Sequence, residues 1–190
     1  MKISLSEDHI YVVTYDDGSE HVYPGVTTII SDVYGRYPYP EGSAERGHHV
    51  HLATQLFDEN DLDETTLDPV VAGYLDGWKL FRDEMGFVPT QIEMKVHNQT
   101  YGYCGTLDRI GTMQGKLYLI DIKSGVKEWW HRIQSAAYGL CLPPDTIYKR
   151  ASIYITAEGK YKLDYYINKQ DYHDWLSTYR VWQIKKENGL

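Results

Sequence analysis

Two strand-like segments decide the fold of this chain: Gly105-Thr-Leu-Asp-Arg-Ile110 and Leu119-Ile-Asp-Ile-Lys-Ser-Gly125. Because side chains alternate between the two faces of a strand, Asp121 and Lys123 lie on one face. The opposite face, turned toward the core, carries Tyr118, Ile120 and Ile122. The segments therefore predict two adjacent strands of a sheet with polar, chemically active groups at one end.

The register between these strands places a second carboxylate near Asp121. We predict a hairpin turn in which Gly111 pairs with Lys116. Asp108 then lies opposite Leu119 and diagonal to Asp121. Diagonal neighbours on one sheet face have Cβ atoms about 7–8 Å apart or less, so two carboxylates there can share one divalent cation.

Two carboxylates followed by a lysine suggest metal-assisted hydrolysis of a phosphodiester. Carboxylate oxygens suit magnesium or manganese, which polarise a phosphate and lower the pKa of an attacking water. A lysine on the same face would orient that water and offset the charge that builds up on the phosphorane. An Asp-x-Lys tripeptide is also frequent by chance, and the alternative interpretation is a surface ion pair on a strand.

The remaining sequence predicts a single α/β domain. Apolar periodicity predicts helices over 26–33, 43–57, 69–85, 130–140 and 169–187, and strands over 9–15, 21–23, 91–96, 102–110, 116–123, 150–156 and 161–167. Residues 34–40 contain two prolines and a glycine and are predicted to form a loop. We expect residues 1–40 to form N-terminal strands and a loop, and 41–190 the catalytic core and a C-terminal helix. In that helix an aromatic stripe is expected to pack into the core: Tyr172, Trp175, Tyr179 and Trp182.

Composition excludes several classes of protein. Cys104 and Cys141 are the only cysteines, which excludes a disulfide scaffold, a cysteine-held zinc ribbon and a four-cysteine iron–sulfur cluster. The N-terminus lacks a signal-peptide core and no apolar run is long enough to cross a bilayer, which predicts a cytoplasmic protein without membrane association.

The charge of the chain is uneven along its length. The net charge is −8, yet residues 91–190 hold 14 Lys/Arg against 10 Asp/Glu while residues 1–90 hold 5 against 17. A nucleic acid would therefore meet the C-terminal half. The acidic stretch 58–64 is expected to be a solvated loop between helices.

Motif order gives the sequence a resemblance to a known family. Asp108, then Asp121-Ile-Lys123, then Gln134-Ser-Ala-Ala-Tyr138 resembles the PD-(D/E)XK nuclease superfamily. Two upstream features are similar to its RecB-like exonuclease branch: Arg46-Gly-His-His-Val-His51 resembles a Gly-x-x-x-His helix motif, and Glu93 resembles a conserved strand glutamate. The resemblance implies a restriction-endonuclease-like core, a central mixed sheet flanked by helices, with an N-terminal β-hairpin and a C-terminal helix added.

The resemblance also implies roles for single residues. It implies that Asp108 and Asp121 bind Mg²⁺ or Mn²⁺, with the carbonyl of Ile122 and the imidazole of His51 as further ligands. Lys123 is similar to the catalytic lysine of the family, and Glu93 would bind a second metal or hold the water of the first. Gln134 and Tyr138 would contact nucleic acid or brace the site.

Each of these residues also has an ordinary structural interpretation. His51 would be a hydrogen-bonded, partly buried histidine, and Glu93 a strand-edge partner of Lys95 or Arg109. Tyr138 would pack in the helix interface, and Gln134 would be a surface amide. A zinc cluster of His48, His49 and His51 is not expected, because no cysteine or fourth ligand stands at zinc spacing.

Aromatic and basic residues after the Asp-x-Lys strand suggest where a nucleic acid would bind. Trp129 and Trp130 would stack on a strand end, or alternatively cap the core where a helix begins. We expect a local phosphate track made of Lys123, Lys127, Arg132, Lys149 and Arg150. The loop 34–39 has the composition of a nucleic-acid lip or of a partner contact.

Taken with the resemblance, these features imply a metal-dependent DNA exonuclease. It would hydrolyse linear single- or double-stranded DNA from free ends and leave a 5′-phosphate, in phage or bacterial recombination or repair. The alternatives are a structure-specific or sequence-specific endonuclease on the same fold and a non-catalytic member that binds nucleic acid or protein. The resemblance allows for an annealing or helicase partner and for a homo-oligomer.

Overall fold

The structure of the protein is a computed structural model that describes residues 1–6, 10–35 and 40–190. The start of the predicted first strand at His9 and most of the predicted loop, residues 36–39, lie outside the described residues. The strands are β1 (Lys2–Leu5), β2 (Tyr11–Thr14), β3 (Glu20–Tyr23), β4 (Val88–Asn98), β5 (Tyr103–Met113), β6 (Lys116–Lys123), β7 (Lys149–Ile155) and β8 (Tyr161–Tyr165). The helices are α1 (Val26–Tyr34), α2 (Ser43–Asp58), α3 (Pro69–Met85), α4 (His131–Gly139) and α5 (Gln170–Glu187), with a short 3₁₀ helix at Glu64–Thr66.

The central sheet has five strands in the order β4-β5-β6-β7-β8. Only the β6–β7 pair is parallel, and α4 makes the crossover between these two strands. The first three strands form a separate antiparallel sheet. The predicted fold class is therefore confirmed: a mixed sheet flanked by helices, with an N-terminal antiparallel sheet and a C-terminal helix.

Apolar side chains cover both faces of the central sheet. Helices α1, α4 and α5 pack on one face through residues such as Ile29, Ala136 and Trp175. Helices α2 and α3 pack on the other, where Val50 and Trp78 meet a further set: Tyr118, Ile120 and Ile122 of β6. The predicted core face of β6 is confirmed, and so is the packing of the α5 aromatic stripe, in which Trp175 is fully buried and Tyr179 nearly so.

Helix α3 shows why the sequence folds as predicted there. The side chain of Asp68 accepts a hydrogen bond from the amide of Val70, and Pro69 occupies the first turn, where its missing N–H costs nothing. Gly86 ends the helix in a left-handed conformation at φ 61°. These signals reproduce the predicted bounds of the helix.

The register of the β5–β6 hairpin differs from the prediction. Gly111 pairs with Tyr118 and Met113 with Lys116, so the turn is the two-residue segment Gln114-Gly115. Both turn residues have positive φ, 51° and 71°, as tight hairpin turns require. The shift of two residues keeps the side chains of the paired segments Arg109–Met113 and Lys116–Ile120 on their predicted faces.

The acidic stretch 58–64 is not wholly the solvated loop that was predicted. Asp58 is the last residue of α2, and its side chain is fully buried between two arginines. Glu64 begins the 3₁₀ helix and pairs with Lys79. The error arises because a run of acids gives no sign of cations that approach from elsewhere in the chain.

None of the helices in the described ranges combines the length and the apolar composition that a membrane-spanning segment needs.

Candidate metal centre

Three side chains of metal-ligand type converge from three elements. His51 of α2, Glu93 of β4 and Asp108 of β5 each offer one ligand atom, and these atoms lie within 4.8 Å of one another. His51 Nδ1 is 3.6 Å from Asp108 Oδ1. Two carboxylates and an imidazole can bind a divalent cation such as Mg²⁺ or Mn²⁺ through oxygen and nitrogen.

The two carboxylates lie between the same two ladder pairs, Ile92 with Arg109 and Met94 with Leu107, and the sheet is distorted at this point. Leu107 packs with α1 and α4, whereas Arg109, two residues later, lies against Trp78 on the opposite face. Strict alternation would keep both on one face, so β5 rotates at Asp108. Glu93, on the neighbouring strand, has φ 46°, a conformation that non-glycine residues rarely adopt. Backbone strain of this kind is concentrated at functional sites.

Asp108 is held by the end of the β5–β6 ladder. The last regular pair is Arg109 with Ile120, and beyond it the amide of Ile122 donates to Asp108 Oδ2 at 2.6 Å. The carboxylate thus replaces a backbone carbonyl as acceptor. This contact fixes the side chain and turns Oδ1 toward His51.

Glu93 both pairs with Arg109 and lies beside His51 and Asp108. Arg109 Nη1 donates to Glu93 Oε1 at 3.0 Å, which is the structural pairing considered above, and the same carboxylate belongs to the cluster with His51 and Asp108. Burial, together with the charge of Asp108, raises the pKa of Glu93 to about 8, although Arg109 acts in the opposite direction. A cation between the two carboxylates would relieve their repulsion.

Arg109 is anchored by residues that the sequence analysis missed. Its side chain is fully buried, and its Nε donates to Asp58 Oδ2 at 2.6 Å. Its Nη2 reaches Thr54 Oγ1 at 3.3 Å. Asp58 and Thr54 both belong to α2, so the helix that carries His51 also fixes the arginine that holds Glu93. The one sequence feature that could have identified Asp58 as a partner of Arg109 was its position at the end of a predicted helix.

Asp121 and Lys123 lie beside the cluster as an ion pair. Lys123 Nζ is 2.8 Å from Asp121 Oδ2, and the hydroxyl of Ser152 donates to the same oxygen at 3.2 Å. Burial alone would lower the pKa of Lys123, but the charges of Asp121 and Asp108 raise it above its ordinary value. Lys123 is therefore a cation at neutral pH, on the predicted face.

Gln134 and Tyr138 are buried behind Lys123. The amide oxygen of Gln134 accepts from Lys123 Nζ at 3.0 Å, and its amide nitrogen donates to the Tyr138 hydroxyl at 3.0 Å. Both residues are 5% exposed. They lie where they can hold the ammonium group of Lys123 in place, which is one of the two roles implied by the resemblance.

Tyr138 lies so close to Gly105 that any larger residue there would displace it. A Cβ at position 105 would lie 2.4 Å from Tyr138 Cε1. We expect Gly105→Ala to lower the free energy of unfolding by about 1–3 kcal/mol, the usual cost of overpacking. Urea unfolding measures this, with Gly125→Ala as control because nothing lies within 4 Å of a Cβ there. Equal stability of the two variants would contradict the close packing.

The expected phosphate track is largely neutralised by carboxylates. Lys127 Nζ is 2.6 Å from Asp164 Oδ2, and Arg150 Nη2 is 2.8 Å from Asp171 Oδ2. Arg132 pairs with Asp171 at 2.9 Å and also with Asp174. Lys149 is exposed. The nucleic-acid role of Lys127 and Arg132 stays a prediction, and their charges are shared with acids distant in sequence.

The two tryptophans have different environments. Trp129 is 50% exposed and contacts Tyr34 edge-to-face, with ring centroids 4.7 Å apart. Trp130 packs against the core, and Lys123 Nζ lies 5.7 Å from the centroid of its ring. Trp129 is therefore the one with a face available for stacking, and Trp130 follows the core-capping alternative.

The N-terminal sheet also contributes to the edge of the site. Tyr11 of β2 is buried, and its hydroxyl lies 3.0 Å from Thr106 Oγ1 on β5. Burial raises the pKa of Tyr11, and the charges of Glu93 and Asp108 add to the effect. Tyr11 was not predicted as a site residue, because nothing in a short N-terminal strand indicates which sheet edge it meets.

His131, at the start of α4, predicts a loss of stability in acid. Its Nδ1 accepts from the Glu128 amide at 3.3 Å and lies 2.8 Å from the Tyr154 hydroxyl, which fits the neutral ring. Burial lowers its pKa to about 3. Because the unfolded chain takes up this proton near pH 6.5, stability is full above that pH and falls below it. We expect a loss of about 2 kcal/mol between pH 7 and pH 5 from this residue.

Urea unfolding of the wild type and of His131→Asn at both pH values measures this contribution. The variant keeps an acceptor for the Glu128 amide but has no proton to take up, so its stability should fall by about 2 kcal/mol less. An equal fall in both proteins would contradict the neutral, buried state of His131.

The sequence matches no known protein family and no curated protein. Solved structures do match the fold. One of them is a candidate exonuclease from Eubacterium rectale, 11% identical, with a TM-score of 0.57 over 88% of this chain and 82% of that one. At this identity the similarity concerns the fold alone.

Proposed function

We propose that this protein is a metal-dependent deoxyribonuclease of the RecB-like PD-(D/E)XK type that degrades DNA from free ends. The observation that carries the proposal is the convergence of His51, Glu93 and Asp108 beside the Asp121–Lys123 pair. The similarity of the fold to that of a candidate exonuclease supports it. In this proposal residues 1–190 form one nuclease domain, acting in the cytoplasm of a bacterial or phage-infected cell.

The residues present fit a hard divalent cation. Two carboxylates, one with its pKa raised to about 8 by burial and by its neighbour, surround a space that an imidazole also faces. His51, Asp108 and Glu93 would hold Mg²⁺ or Mn²⁺, joined by Asp121 and the carbonyl of Ile122. The ion would supply Lewis-acid polarisation of the phosphate and a more acidic water.

The chain itself would supply orientation and charge. Lys123, kept cationic by Asp121 and Asp108, would hydrogen-bond the attacking water and offset the negative charge of the phosphorane. Gln134 and Tyr138 would keep the ammonium group in place. The Arg109–Glu93 contact would fix the direction of the glutamate. The products would be a 5′-phosphate and a 3′-hydroxyl.

Binding of DNA would depend on few free charges. Because Lys127 and Arg132 are already paired with aspartates, we propose that they contact phosphate by sharing these partners, and that Trp129 stacks on the end of a strand. The site would then favour strand ends held locally over long duplex held by its backbone.

An assay with defined DNA forms tests the proposal. Linear single-stranded, linear double-stranded and covalently closed circular DNA are incubated with Mg²⁺ or Mn²⁺, beside Lys123→Ala, Asp121→Ala and the surface control Lys116→Ala, which lies exposed at the far end of β6. We expect linear DNA to be degraded and circles to survive, with the first two variants inactive and the control active. Cutting of circles would favour an endonuclease, and absence of any cleavage would favour a non-catalytic binding protein.

A further inference from the structure

Asp121 is the inner end of a row of hydrogen-bonded side chains that leads away from the metal centre. Ser152 Oγ donates to Asp121 Oδ2 at 3.2 Å, and the Tyr166 hydroxyl donates to Ser152 Oγ at 3.1 Å. The Tyr154 hydroxyl lies 3.2 Å from that of Tyr166 and 2.8 Å from His131 Nδ1. The hydrogen bonds from Tyr166 through Ser152 to Asp121 link the segment after β8 to β7 and β6.

The row is unusual because it includes a polar side chain that is buried in the interior of a strand. Ser152 is fully buried and stands beside Asp121 in the parallel β6–β7 register, while its chain neighbours Ala151 and Ile153 are apolar core residues. A buried hydroxyl is costly unless it is hydrogen-bonded, and an apolar residue would avoid that cost. The row of buried polar side chains therefore ends at one carboxylate of the candidate site, that of Asp121.

The direction of the hydrogen bonds orients that carboxylate. Ser152 has one hydroxyl hydrogen, and because it is given to Asp121, the oxygen must accept, which it does from Tyr166. Within the described part of the chain, the hydrogen bonds to the Asp121 side chain both reach Oδ2, from Lys123 and Ser152. The rotation of a carboxylate about its last bond is otherwise broad. Holding Oδ2 leaves Oδ1 in a defined direction.

We infer that Ser152 and Tyr166 are positioning residues that fix Asp121 for binding a divalent cation. The inference rests on the proposed function, because it gives Asp121 its role as a ligand. Partners that orient metal ligands from behind typically contribute 10–100-fold to metal affinity or activity. The family resemblance does not extend to Ser152 or Tyr166.

The test is Mn²⁺ affinity measured by calorimetry without DNA, together with the Mn²⁺ concentration that gives half-maximal cleavage. We expect about tenfold weaker binding for Ser152→Ala, a smaller loss for Tyr166→Phe, and recovery in Ser152→Thr, which keeps the hydroxyl. Tyr166 borders an open cavity of about 460 Å³, so loss of its hydroxyl leaves no sealed void. The matched control is Tyr165→Phe, whose side chain is 45% exposed and faces the ring of Tyr118.

The outcomes separate this inference from the proposed function. If Ser152→Ala and Tyr166→Phe bind Mn²⁺ as the wild type does, the row is only structural and the inference is overturned, whatever their thermal stability. If the wild type binds Mn²⁺ without cleaving DNA, the proposed function fails while the affinities of the variants still decide the inference. If the wild type binds no Mn²⁺, both are overturned.

Discussion

Asp108→Asn is expected to lower the rate of metal-dependent DNA cleavage by about a thousandfold, because a catalytic metal supplies several kcal/mol and each 1.36 kcal/mol is tenfold in rate. The asparagine oxygen can still accept from the Ile122 amide, a contact of 2.6 Å in the wild type. The substitution removes the negative charge of Asp108, which helps to raise the pKa of Glu93 in the wild type. The free energy of unfolding should therefore stay within about 1 kcal/mol of the wild-type value.

Initial rates on labelled linear DNA at saturating Mn²⁺, with unfolding curves for the same samples, measure both effects. Asp83→Asn on the exposed side of α3 is the matched control and should cleave at the wild-type rate. Retention of activity in Asp108→Asn would exclude this carboxylate from the reaction. Loss of activity together with loss of folded protein would contradict the expectation that Asp108 contributes to cleavage and little to stability.

Arg109→Met is expected to give the largest loss of stability, about 3–5 kcal/mol, the usual effect of removing one partner of a buried ion pair. The side chain of Asp58 is fully buried and, among the residues that the structure describes, would keep Arg82 and the indole N–H of Trp78 as polar partners. Glu93 would lose the cation that favours its charged form. The methionine fills much of the volume, so the effect comes mainly from the loss of the ion pairs that Arg109 makes with Asp58 and Glu93.

Urea unfolding at pH 7 measures the loss, and Arg180→Met provides the comparison. Arg180 pairs with Glu187 at 3.2 Å on the surface of α5, where both side chains are more than half exposed. Exposed pairs contribute about 0–1 kcal/mol, so this control should be nearly neutral. A loss below about 1 kcal/mol for Arg109→Met would contradict the buried ion pair between Arg109 and Asp58.

The local features of this protein could be predicted from its sequence because they depend on short-range rules. The alternation of side chains along a strand places Asp121 and Lys123 on one face and Tyr118 on the core face, whatever the register of the hairpin. Capping residues such as Asp68 and Gly86 gave α3 its bounds. The motif order singled out His51 and Glu93, which the fold then brings to Asp108.

The remaining features depend on contacts between distant parts of the chain. The register error arose because the turn type, set by the positive φ of Gln114 and Gly115, was not recognised. β5 rotates at Asp108, which interrupts the alternation of side chains between the two faces of the strand. No local sequence pattern predicts this rotation. Likewise, Arg132 was expected to be available for phosphate, but its partner Asp171 lies on α5, far along the chain.

The most direct test of the central claim is a Mn²⁺ titration of the DNA-free protein followed by electron paramagnetic resonance. If His51, Glu93 and Asp108 form a metal centre, the wild type binds Mn²⁺ and Asp108→Asn binds it about tenfold more weakly or worse. The Asp83→Asn control should match the wild type. Absence of bound Mn²⁺ at millimolar concentration, or equal affinity in Asp108→Asn, would contradict the assignment of this cluster as a metal centre.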